Sequence, residues 1–217
     1  MDKEQIVAHF TNIYHSNYWN GLESKSGTGS DIATTATLRP HLVNLLNDME
    51  FKTMVDAPCG DFFWMKEIIE ELEIEEYHGY DIVEEMISAV RDTYGETEKG
   101  PKRSFETLNV VEEILPKVDV IFSRDCLVHF SYATARKILQ NYIESGSEYI
   151  LMTTFLRDDR AYSDISDGQW HPINFQMEPF NLPEPERLII EGCIEDRYRW
   201  TDKALGLWKL DNLKGIV

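Results

Sequence analysis

The sequence lacks the features that mark membrane, secreted and metal-binding proteins. In its 217 residues no apolar run approaches the roughly 20 residues of a membrane-spanning helix. The first residues, Met1-Asp-Lys-Glu-Gln, have no signal-peptide pattern, which predicts residence in the cytoplasm. The three cysteines, at positions 59, 126 and 193, are too widely spaced to predict a disulfide framework or a metal-ligand pair. We therefore expect them to be small buried side chains.

Basic residues are also scarce. The chain has 21 lysines and arginines against 39 aspartates and glutamates, for a formal net charge of −18. Because a protein that binds a phosphate backbone needs a basic stripe, this balance excludes a nucleic-acid substrate. Hydrophobic residues make up 42% of the chain, which predicts one globular domain over residues 1–217. The acidic run over residues 67–76 is typical of a solvated helix face.

A strand, a tight turn and a helix are indicated around residue 60. Residues 53–55 suit a short strand, Pro58 and Gly60 would end it, and residues 62–72 predict a helix. Such a turn gathers unpaired backbone N–H groups at one point. About twenty residues later a second predicted strand carries Asp81, whose carboxylate could accept both hydroxyls of a ribose. The three-glycine dinucleotide fingerprint is absent, which favours a ligand without a pyrophosphate.

The segment Val55-Asp-Ala-Pro-Cys-Gly-Asp61 resembles the first motif of class I S-adenosylmethionine-dependent methyltransferases, an acid followed by a Gly-Cys-Gly-type turn. Asp81 stands where this family keeps its ribose-binding acid. The segment departs from the family at Pro58, which removes one N–H, and at Phe62, where a further glycine is common. The resemblance implies S-adenosylmethionine as the cofactor and methyl transfer as the activity. The alternative is an ordinary buried strand-turn-helix.

Strands and helices alternate along the middle of the chain, as in a doubly wound parallel sheet. Further strands are predicted over 104–110, 118–123 and 148–155, helices over 83–94 and 131–143, a charged turn over 95–101, and a terminal pair of strands over 187–192 and 205–210. With the resemblance, this predicts an α/β fold: a Rossmann-like doubly wound, mostly parallel seven-stranded sheet with an N-terminal helical extension and a lid insertion. We divide the domain into an N-terminal helical cap with a Gly/Ser loop (1–50), a cofactor-binding core (51–156), a substrate-facing insertion (157–186) and the terminal strands (187–217).

The N-terminal part contains a predicted helix over 3–19 and a loop over 21–30 that is rich in glycine and serine. A second helix is predicted over 32–49, which Pro40 should kink or restart. The loop is either a flexible linker or a lid that touches the cofactor, and its helical anchors favour the lid. Its Ser-Gly-x-Gly-Ser pattern resembles a stretch preceding the cofactor domain in a methyltransferase group often encoded beside glycosyltransferases. This narrower resemblance implies glycan modification and cooperation with glycosyltransferases.

Candidate cofactor contacts lie at the strand ends and in the lid, because ligands of doubly wound sheets bind beyond the carboxyl ends of the strands. In the family the loop after the third strand borders the adenine, so Asn109 either bonds the exocyclic amine or is a turn residue. The predicted cofactor-binding residues are Asp56, Pro58, Cys59, Gly60, Asp61, Trp64, Asp81, Ile82, Asn109, Val110 and Ser123, with Ser26, Gly27, Ser30 and Thr35 from the N-terminal part.

Three candidate catalytic residues follow the fourth strand. Arg124 would hold the acceptor or pair with a nearby acid. Asp125 and His129 lie four residues apart, so on a helix they would share a face, and the carboxylate would orient the imidazole or raise its pKa. Histidine is well suited to act as a base near neutral pH. The alternatives are a turn-stabilising Asp125 and a half-buried His129 bonded to the backbone.

The insertion carries aromatic residues among acids, which favours an ordered segment that faces the substrate. Trp170, His171 and Asn174 are the predicted substrate-binding residues, although Trp170 could equally be packing. The family's Asn/Asp-Pro-Pro-Tyr signature for amino-group methylation is absent. The sequence therefore predicts an O-methyltransferase for a small polar acceptor, first of all a sugar hydroxyl of a glycan or glycan precursor. A methyltransferase for a carboxylate or amine of another metabolite and a non-catalytic S-adenosylmethionine-binding module are the alternatives.

Overall fold

The protein forms one seven-stranded sheet in a computed structural model that describes residues 1–95 and 97–217. Glu96, in the predicted charged turn, lies outside the described residues. The strands are β1 (Thr53–Asp56), β2 (Glu76–Asp81), β3 (Lys102–Thr107), β4 (Val120–Ser123), β5 (Tyr149–Phe155), β6 (Arg187–Ile190) and β7 (Lys203–Lys209). Their order is β3-β2-β1-β4-β5-β7-β6. The first five strands pair in parallel, and β7 runs antiparallel to both β5 and β6. The predicted α/β fold with a mostly parallel sheet is confirmed.

The helices of the described chain are α1 (Lys3–Ser16), α2 (Leu38–Asp48), α3 (Glu84–Tyr94), α4 (Tyr132–Glu144) and the short, irregular α5 (Glu195–Tyr198). Two of them begin at side-chain caps. Asp2 and Gln5 form a reciprocal capping box at the start of α1, and the Ser131 hydroxyl accepts from the Thr134 N–H at the start of α4. None of these helices combines the length and apolar content that a membrane span needs.

Two predicted helices differ from the structure. The helix predicted over 62–72 is wrong: two short 3₁₀ turns, Met65–Glu67 and Ile69–Glu71, occupy this stretch. Phe62 has a left-handed backbone (φ 59°), which prevents a regular helix from starting there. The helix predicted over 32–49 begins only at Leu38, so that Pro40 lies in its first turn, where a missing N–H costs no intrahelical hydrogen bond.

Helices cover both faces of the sheet, and the alternating side chains of each strand divide the core in two. Met54 of β1 and Phe122 of β4 pack with α2 and α3 on one face. Val55 and Ile121, their neighbours in sequence, pack with α4 on the other. Because both faces are buried, Met54 and Val55 of β1 and residues 120–122 of β4 are apolar on both sides of the sheet. The three cysteines are buried free thiols, as predicted, and burial raises the pKa of each.

The order in which strands are added to the sheet reverses at β1, which pairs with β2 on one side and with β4 on the other. The chain therefore leaves the carboxyl ends of β1 and β4 toward opposite faces, and a crevice opens between them. Ligands of such sheets bind at this switch point. The residues that follow β1, β2, β3 and β4 are therefore the ones whose positions matter for function.

Leu205 tests the contribution of the terminal strands to the core. It is completely buried at the centre of β7, whereas Leu22 is 90% exposed. We expect Leu205→Ala to lower the free energy of unfolding by about 2–5 kcal/mol, because it leaves a cavity. The same truncation at Leu22 should change it by less than about 0.5 kcal/mol. Equilibrium urea unfolding measures both, and equal losses would show that β7 is not part of the cooperative core.

Candidate active site

The turn after β1 is fixed to the end of β2 by hydrogen bonds around Asp81. Its carboxylate accepts from the backbone N–H of Gly60 at 3.2 Å and of Val83 at 3.1 Å. Cys59 N–H donates to the Tyr80 carbonyl at 2.8 Å. Burial raises the pKa of Asp81 to about 6, so the group is mostly ionised at neutral pH. A side chain at Gly60 could not fit, because its φ is +57° and a Cβ would lie 2.3 Å from the Ser26 hydroxyl.

Asp56, at the end of β1, is a buried acid that accepts a hydrogen bond from a side chain, whereas Asp81 accepts from backbone N–H groups. It is 3% exposed and accepts a hydrogen bond of 2.5 Å from the Tyr77 hydroxyl. Burial raises its pKa to about 8, so the carboxyl group is mostly protonated at neutral pH. Asp56 and Asp81 therefore offer different groups to one cavity: a neutral carboxyl and a carboxylate.

The cap loop, residues 21–30, is bound to this turn through Asp61. The Asp61 carboxylate accepts from the Ser24 hydroxyl at 2.9 Å, the Lys25 N–H at 2.9 Å and the Ser26 hydroxyl at 3.3 Å. The Asp61 N–H in turn donates to the Ser26 hydroxyl at 3.0 Å. The Asp31 carboxylate closes the other end of the loop by accepting from the N–H groups of residues 22–24. The loop is folded onto the sheet edge and is not an extended linker.

These elements enclose what we call the central cavity, between the cap loop, α1 and the carboxyl edge of the sheet. Its free space is about 140 Å³. Ligand pockets usually offer about 300–1000 Å³, so a ligand of nucleoside size requires the cap loop to move. Aromatic side chains of the N-terminal part, among them Phe10, Tyr14 and Trp19, line the side opposite the strands.

Asn109, after β3, has one satisfied and one free amide group. Its Oδ1 accepts from the Val111 N–H at 3.0 Å, which fixes the turn and the orientation of the amide. Its Nδ2 is buried and has no partner among the described residues. Asn109 is therefore a turn residue, one of the two predicted alternatives, and its free group is a hydrogen-bond donor. It suits a ring nitrogen and not the exocyclic amine that we expected it to bond.

The residues after β4 form ion pairs with the end of the chain. The Arg124 guanidinium binds the Glu191 carboxylate, with Nη2 at 2.7 Å from Oε2, and the Lys203 ammonium lies 2.6 Å from Asp125 Oδ2. Burial alone would raise the pKa of Asp125, but the charges of Lys203 and Arg124 outweigh it and lower the pKa to about 2. Asp125 also has a left-handed backbone (φ 53°), a sparsely populated conformation for a residue other than glycine.

His129 does not share a helix face with Asp125, so that expectation is wrong. The chain passes from the left-handed Asp125 into a single 3₁₀ turn, Leu127–His129. The imidazole stacks on Trp19, with ring centres 4.8 Å apart, and its Nδ1 lies 3.1 Å from the Gln169 carbonyl oxygen. Burial lowers the pKa of His129 to about 4, and the opposing attraction of Asp125 is weaker. At neutral pH the ring is therefore neutral.

A second opening, the outer cleft, shares a wall with the central cavity. Trp19, Ser26, Asp125 and His129 line both spaces. The free space of the outer cleft is about 300 Å³. Trp170 and Trp200 line it, with ring centres 4.7 Å apart. A molecule in the outer cleft would meet a molecule in the central cavity at Asp125 and His129.

The structure gathers most of the predicted site residues around these two spaces. The central cavity is lined by Ser26, Ser30, Asp56, Pro58, Cys59, Gly60, Asp61, Trp64, Asp81, Ile82, Asn109, Val110, Arg124, Asp125 and His129. Gly27 and Trp170 line only the outer cleft.

Four predicted site residues line neither space. The hydroxyl of the fully buried Thr35 donates to the Asp31 carbonyl, and the hydroxyl of Ser123 is bonded to that of Tyr142. Both ring nitrogens of the buried His171 lie within 3.0 Å of backbone carbonyls. The amide of Asn174 is used in a turn, where its Oδ1 accepts from the Gln176 N–H. Each side chain is held inside the protein by these bonds.

Several charged residues at the site were not predicted from the sequence, and they lie near the two ends of the chain. Lys203, Glu191 and Glu195 come from the β6–β7 region, and β7 brings Lys203 to the edge by pairing with β5. The sequence offered two signals for them. Lys203 stands at the start of an apolar strand, and Glu191 directly follows another strand. Lys25 was also missed; its ammonium lies 4.7 Å from the ring centre of Tyr14 at the central cavity.

The sequence of this chain matches no protein-family model and no curated protein. Solved structures are similar in fold. Human N-acetylserotonin methyltransferase in complex with S-adenosylmethionine superposes with a TM-score of 0.65 at 13% identity, over 96% of this chain and 60% of that chain. The 1,6-didemethyltoxoflavin-N1-methyltransferase of Burkholderia thailandensis, with bound 1,6-didemethyltoxoflavin and S-adenosylhomocysteine, gives 0.62 at 15% identity, over 96% and 90%.

A third similar structure is magnesium protoporphyrin IX methyltransferase from Synechocystis PCC 6803 with bound S-adenosylhomocysteine. Its TM-score is 0.53 at 16% identity, over 72% of this chain and 73% of that chain. The sheet order with an antiparallel β7, together with these similarities, shows that the chain has the fold of class I S-adenosylmethionine-dependent methyltransferases.

Proposed function

We propose that this protein is an S-adenosylmethionine-dependent methyltransferase that methylates a hydroxyl group of a small polar acceptor. The observation that carries the proposal is the convergence of Asp81, the Gly60 turn and the free amide of Asn109 in one cavity at the switch point of the sheet. A nucleoside with a charged tail requires three groups of this kind: a carboxylate that accepts hydrogen bonds, a backbone turn, and a buried group that donates a hydrogen bond.

The residues of the central cavity fit this cofactor. The Asp81 carboxylate has lone pairs left for the two ribose hydroxyls after accepting two backbone N–H groups. The Nδ2 group of Asn109 would donate to a ring nitrogen of the adenine. Lys25, whose ammonium lies over the Tyr14 ring at the central cavity, is available for the carboxylate of the methionine portion. When bound, S-adenosylmethionine supplies a methyl group on a positively charged sulfur.

His129 is positioned to remove the proton of the acceptor hydroxyl. A carbonyl can only accept, so the contact with Gln169 assigns the hydrogen of the neutral ring to Nδ1 and leaves a lone pair on Nε2. Stacking on Trp19 fixes the plane of the ring. A base with a pKa of about 4 suffices, because a hydroxyl oxygen becomes strongly acidic as it gains a methyl group. Asp125, held by Lys203, is the neighbouring anion that stabilises the protonated imidazole.

A sugar hydroxyl remains our leading acceptor, because Trp170 and Trp200 present aromatic surface beside polar groups in the outer cleft. Cooperation with glycosyltransferases stays a prediction.

Replacement of Asp81 tests cofactor binding. We expect Asp81→Asn to lose about 1.5–3 kcal/mol of affinity for S-adenosylhomocysteine, the scale of hydrogen bonds to a charged group. Since the carboxylate is the better acceptor and its pKa is raised to about 6, affinity of the unaltered protein should fall as the pH drops below 6. The fall should be at most about tenfold per pH unit for one proton. Calorimetry between pH 5 and 8 measures both effects, and an inflection that persists in Asp81→Asn would refute the assignment.

Replacement of His129 tests the base. We expect His129→Ala and Asp125→Asn each to lower kcat by roughly 10²–10⁴-fold, the usual contribution of general-base catalysis. The double variant should lose less than the product of the single losses, because the two residues act together. Affinity for S-adenosylhomocysteine, measured by calorimetry, should change little in any of them. Turnover close to that of the unaltered protein in both single variants would rule out this base.

Removal of the Asp61 carboxylate tests the cap loop. Amide hydrogen exchange in residues 21–30 should slow when S-adenosylhomocysteine binds, because the ligand holds the loop over the cavity. Asp61→Ala should speed exchange there and weaken binding, since it removes three acceptor contacts. Exchange in α4, on the far side of the sheet core, is the internal control. Equal exchange in the loop with and without ligand would contradict a lid.

A further inference from the structure

The outer cleft has one aromatic side and one charged side. The edges and faces of Trp170, Trp200 and Phe155 form the aromatic side, with ring centres between 4.7 and 6.0 Å apart. Trp170 is 41% exposed and lines the outer cleft, so its ring is open to a ligand there. The charged side consists of Asp125, Glu195 and Asp196, with Lys203 near the first two. Asp196 has a cation of its own, Arg199, at 3.4 Å. An acceptor in this cleft would be held between the two sides.

The charges beneath the cleft do not balance. Lys203 Nζ lies 2.6 Å from Asp125, 3.6 Å from Glu191 and 3.7 Å from Glu195. The Arg124 guanidinium is taken by Glu191 at 2.7 Å and by Asp125 at 3.4 Å. Three carboxylates therefore share two cations. A partly buried carboxylate without its own counterion is unfavourable, so the cleft favours a ligand that brings a positive charge.

Glu195 is the carboxylate with the weakest compensation. Its Oε1 accepts a hydrogen bond of 2.7 Å from the Thr28 hydroxyl, and Lys203, the cation within 4 Å of it among the described residues, is closer to Asp125. Its side chain is 25% exposed and lines the cleft. Gly29 leaves this carboxylate accessible: a Cβ at Gly29 would lie 3.3 Å from Glu195 Oε2 and 3.4 Å from Asp125 Oδ2. The glycine thus keeps open the space between the two acids.

The aromatic side favours the same charge. The guanidinium of Arg160 already lies over Trp200 at 4.8 Å and over Phe155 at 5.6 Å, so these rings accept a cation within the protein itself. Arg160 is held away from the cleft by Asp202 at 2.7 Å. An anionic acceptor would meet Glu195 and Asp125 without a free basic partner among the described lining residues.

We propose that the acceptor is a small hydroxylated amine whose protonated amino group is bound between Glu195 and Asp125, against the aromatic side of the outer cleft. The proposal rests on the methyltransferase function above. The acceptor hydroxyl then points to His129, in the wall shared with the central cavity. In the reaction the C–S bond of the methyl donor breaks, the O–CH₃ bond forms and the hydroxyl proton passes to His129. The amine keeps its proton, because adjacent carboxylates favour the charged form, and is therefore not methylated.

Two series of probes, each with one skeleton and different charge, test the proposal. The first is glucosamine, glucose and glucuronate, and the second is tyramine, 4-hydroxyphenylacetamide and 4-hydroxyphenylacetate. Binding to the protein loaded with S-adenosylhomocysteine is measured by calorimetry and by tryptophan fluorescence. In at least one series the cationic member should bind about tenfold or more tighter than the neutral one, the scale of a hydrogen bond to a charged group, and the anionic member should bind weakest.

Three variants test whether the preference for the cationic probe arises in the outer cleft. Glu195→Gln keeps an acceptor for Thr28 but removes the charge, and should reduce the preference for the cationic member at least severalfold. Gly29→Ala keeps every charge but narrows the space, and should weaken the cationic member more than the neutral one. Glu106→Gln is the matched control, because Glu106 is exposed on β3 at the opposite edge of the sheet. It removes the same charge and should leave the preference unchanged.

Equal binding of neutral and cationic members, a preference that survives Glu195→Gln, or no binding of any probe at millimolar concentration would overturn the proposal. Failure of the methyltransferase function is recognised separately, because S-adenosylhomocysteine itself would not bind. The probe series can then be repeated with the unliganded protein to decide the charge preference of the cleft.

Discussion

Burial of carboxyl groups at one edge of the sheet is the constraint on which the site depends. The cap loop and α1 close over the ends of β1, β2 and β4, where the chain places four aspartates: Asp56, Asp61, Asp81 and Asp125. Asp56 and Asp81 are buried, and Asp61 and Asp125 are half-buried. An acid removed from water in this way must become neutral, accept hydrogen bonds or pair with a cation. Each of the four meets this requirement differently. Asp56 is protonated beside Tyr77, Asp61 binds the loop hydroxyls, Asp81 accepts backbone N–H groups and Asp125 pairs with Lys203.

These four solutions give the four acids different chemistry in one small space. The pKa of Asp56 is about 8, that of Asp81 about 6 and that of Asp125 about 2, although the sequence presents them as the same residue at comparable strand ends. Burial, with a smaller contribution from a neighbouring acid, raises the pKa of the first two. Only Asp125 has cations within 4 Å, and their attraction outweighs its burial. The acid that stays ionised to the lowest pH is thus Asp125, near His129, where a proton is received in the proposed reaction, and not Asp81, which we assign to the ribose.

The fold was predictable from the alternation of strands and helices together with the family resemblance, and the nearly continuous apolar run Val118–Ser123 marked one strand that is buried on both faces. Asp81 and Gly60 were predictable from spacing, since Asp81 ends β2 and Gly60 lies in the turn that follows β1. The helix over 62–72 failed because the left-handed Phe62 is imposed by tertiary packing against Tyr77 and Phe105 and not by local propensity. The pairing of Asp125 with Lys203 joins residues 78 positions apart and depends on the register of β5 with β7, which no local pattern encodes.

The division of the site between core and chain ends explains how one fold can serve different acceptors. The groups assigned to the cofactor, Asp81, Gly60 and Asn109, are fixed by backbone hydrogen bonds within the parallel strands and their turns. The groups assigned to the acceptor come from outside that core: Trp19 from the N-terminal part, Trp170 from the insertion, and Glu195 and Trp200 from the segment between β6 and β7. Substitutions in these segments leave the sheet register untouched, so the acceptor side can change while the cofactor side is kept. The excess of one carboxylate beneath the outer cleft belongs to this variable side, and it is there that the charge of the acceptor is decided.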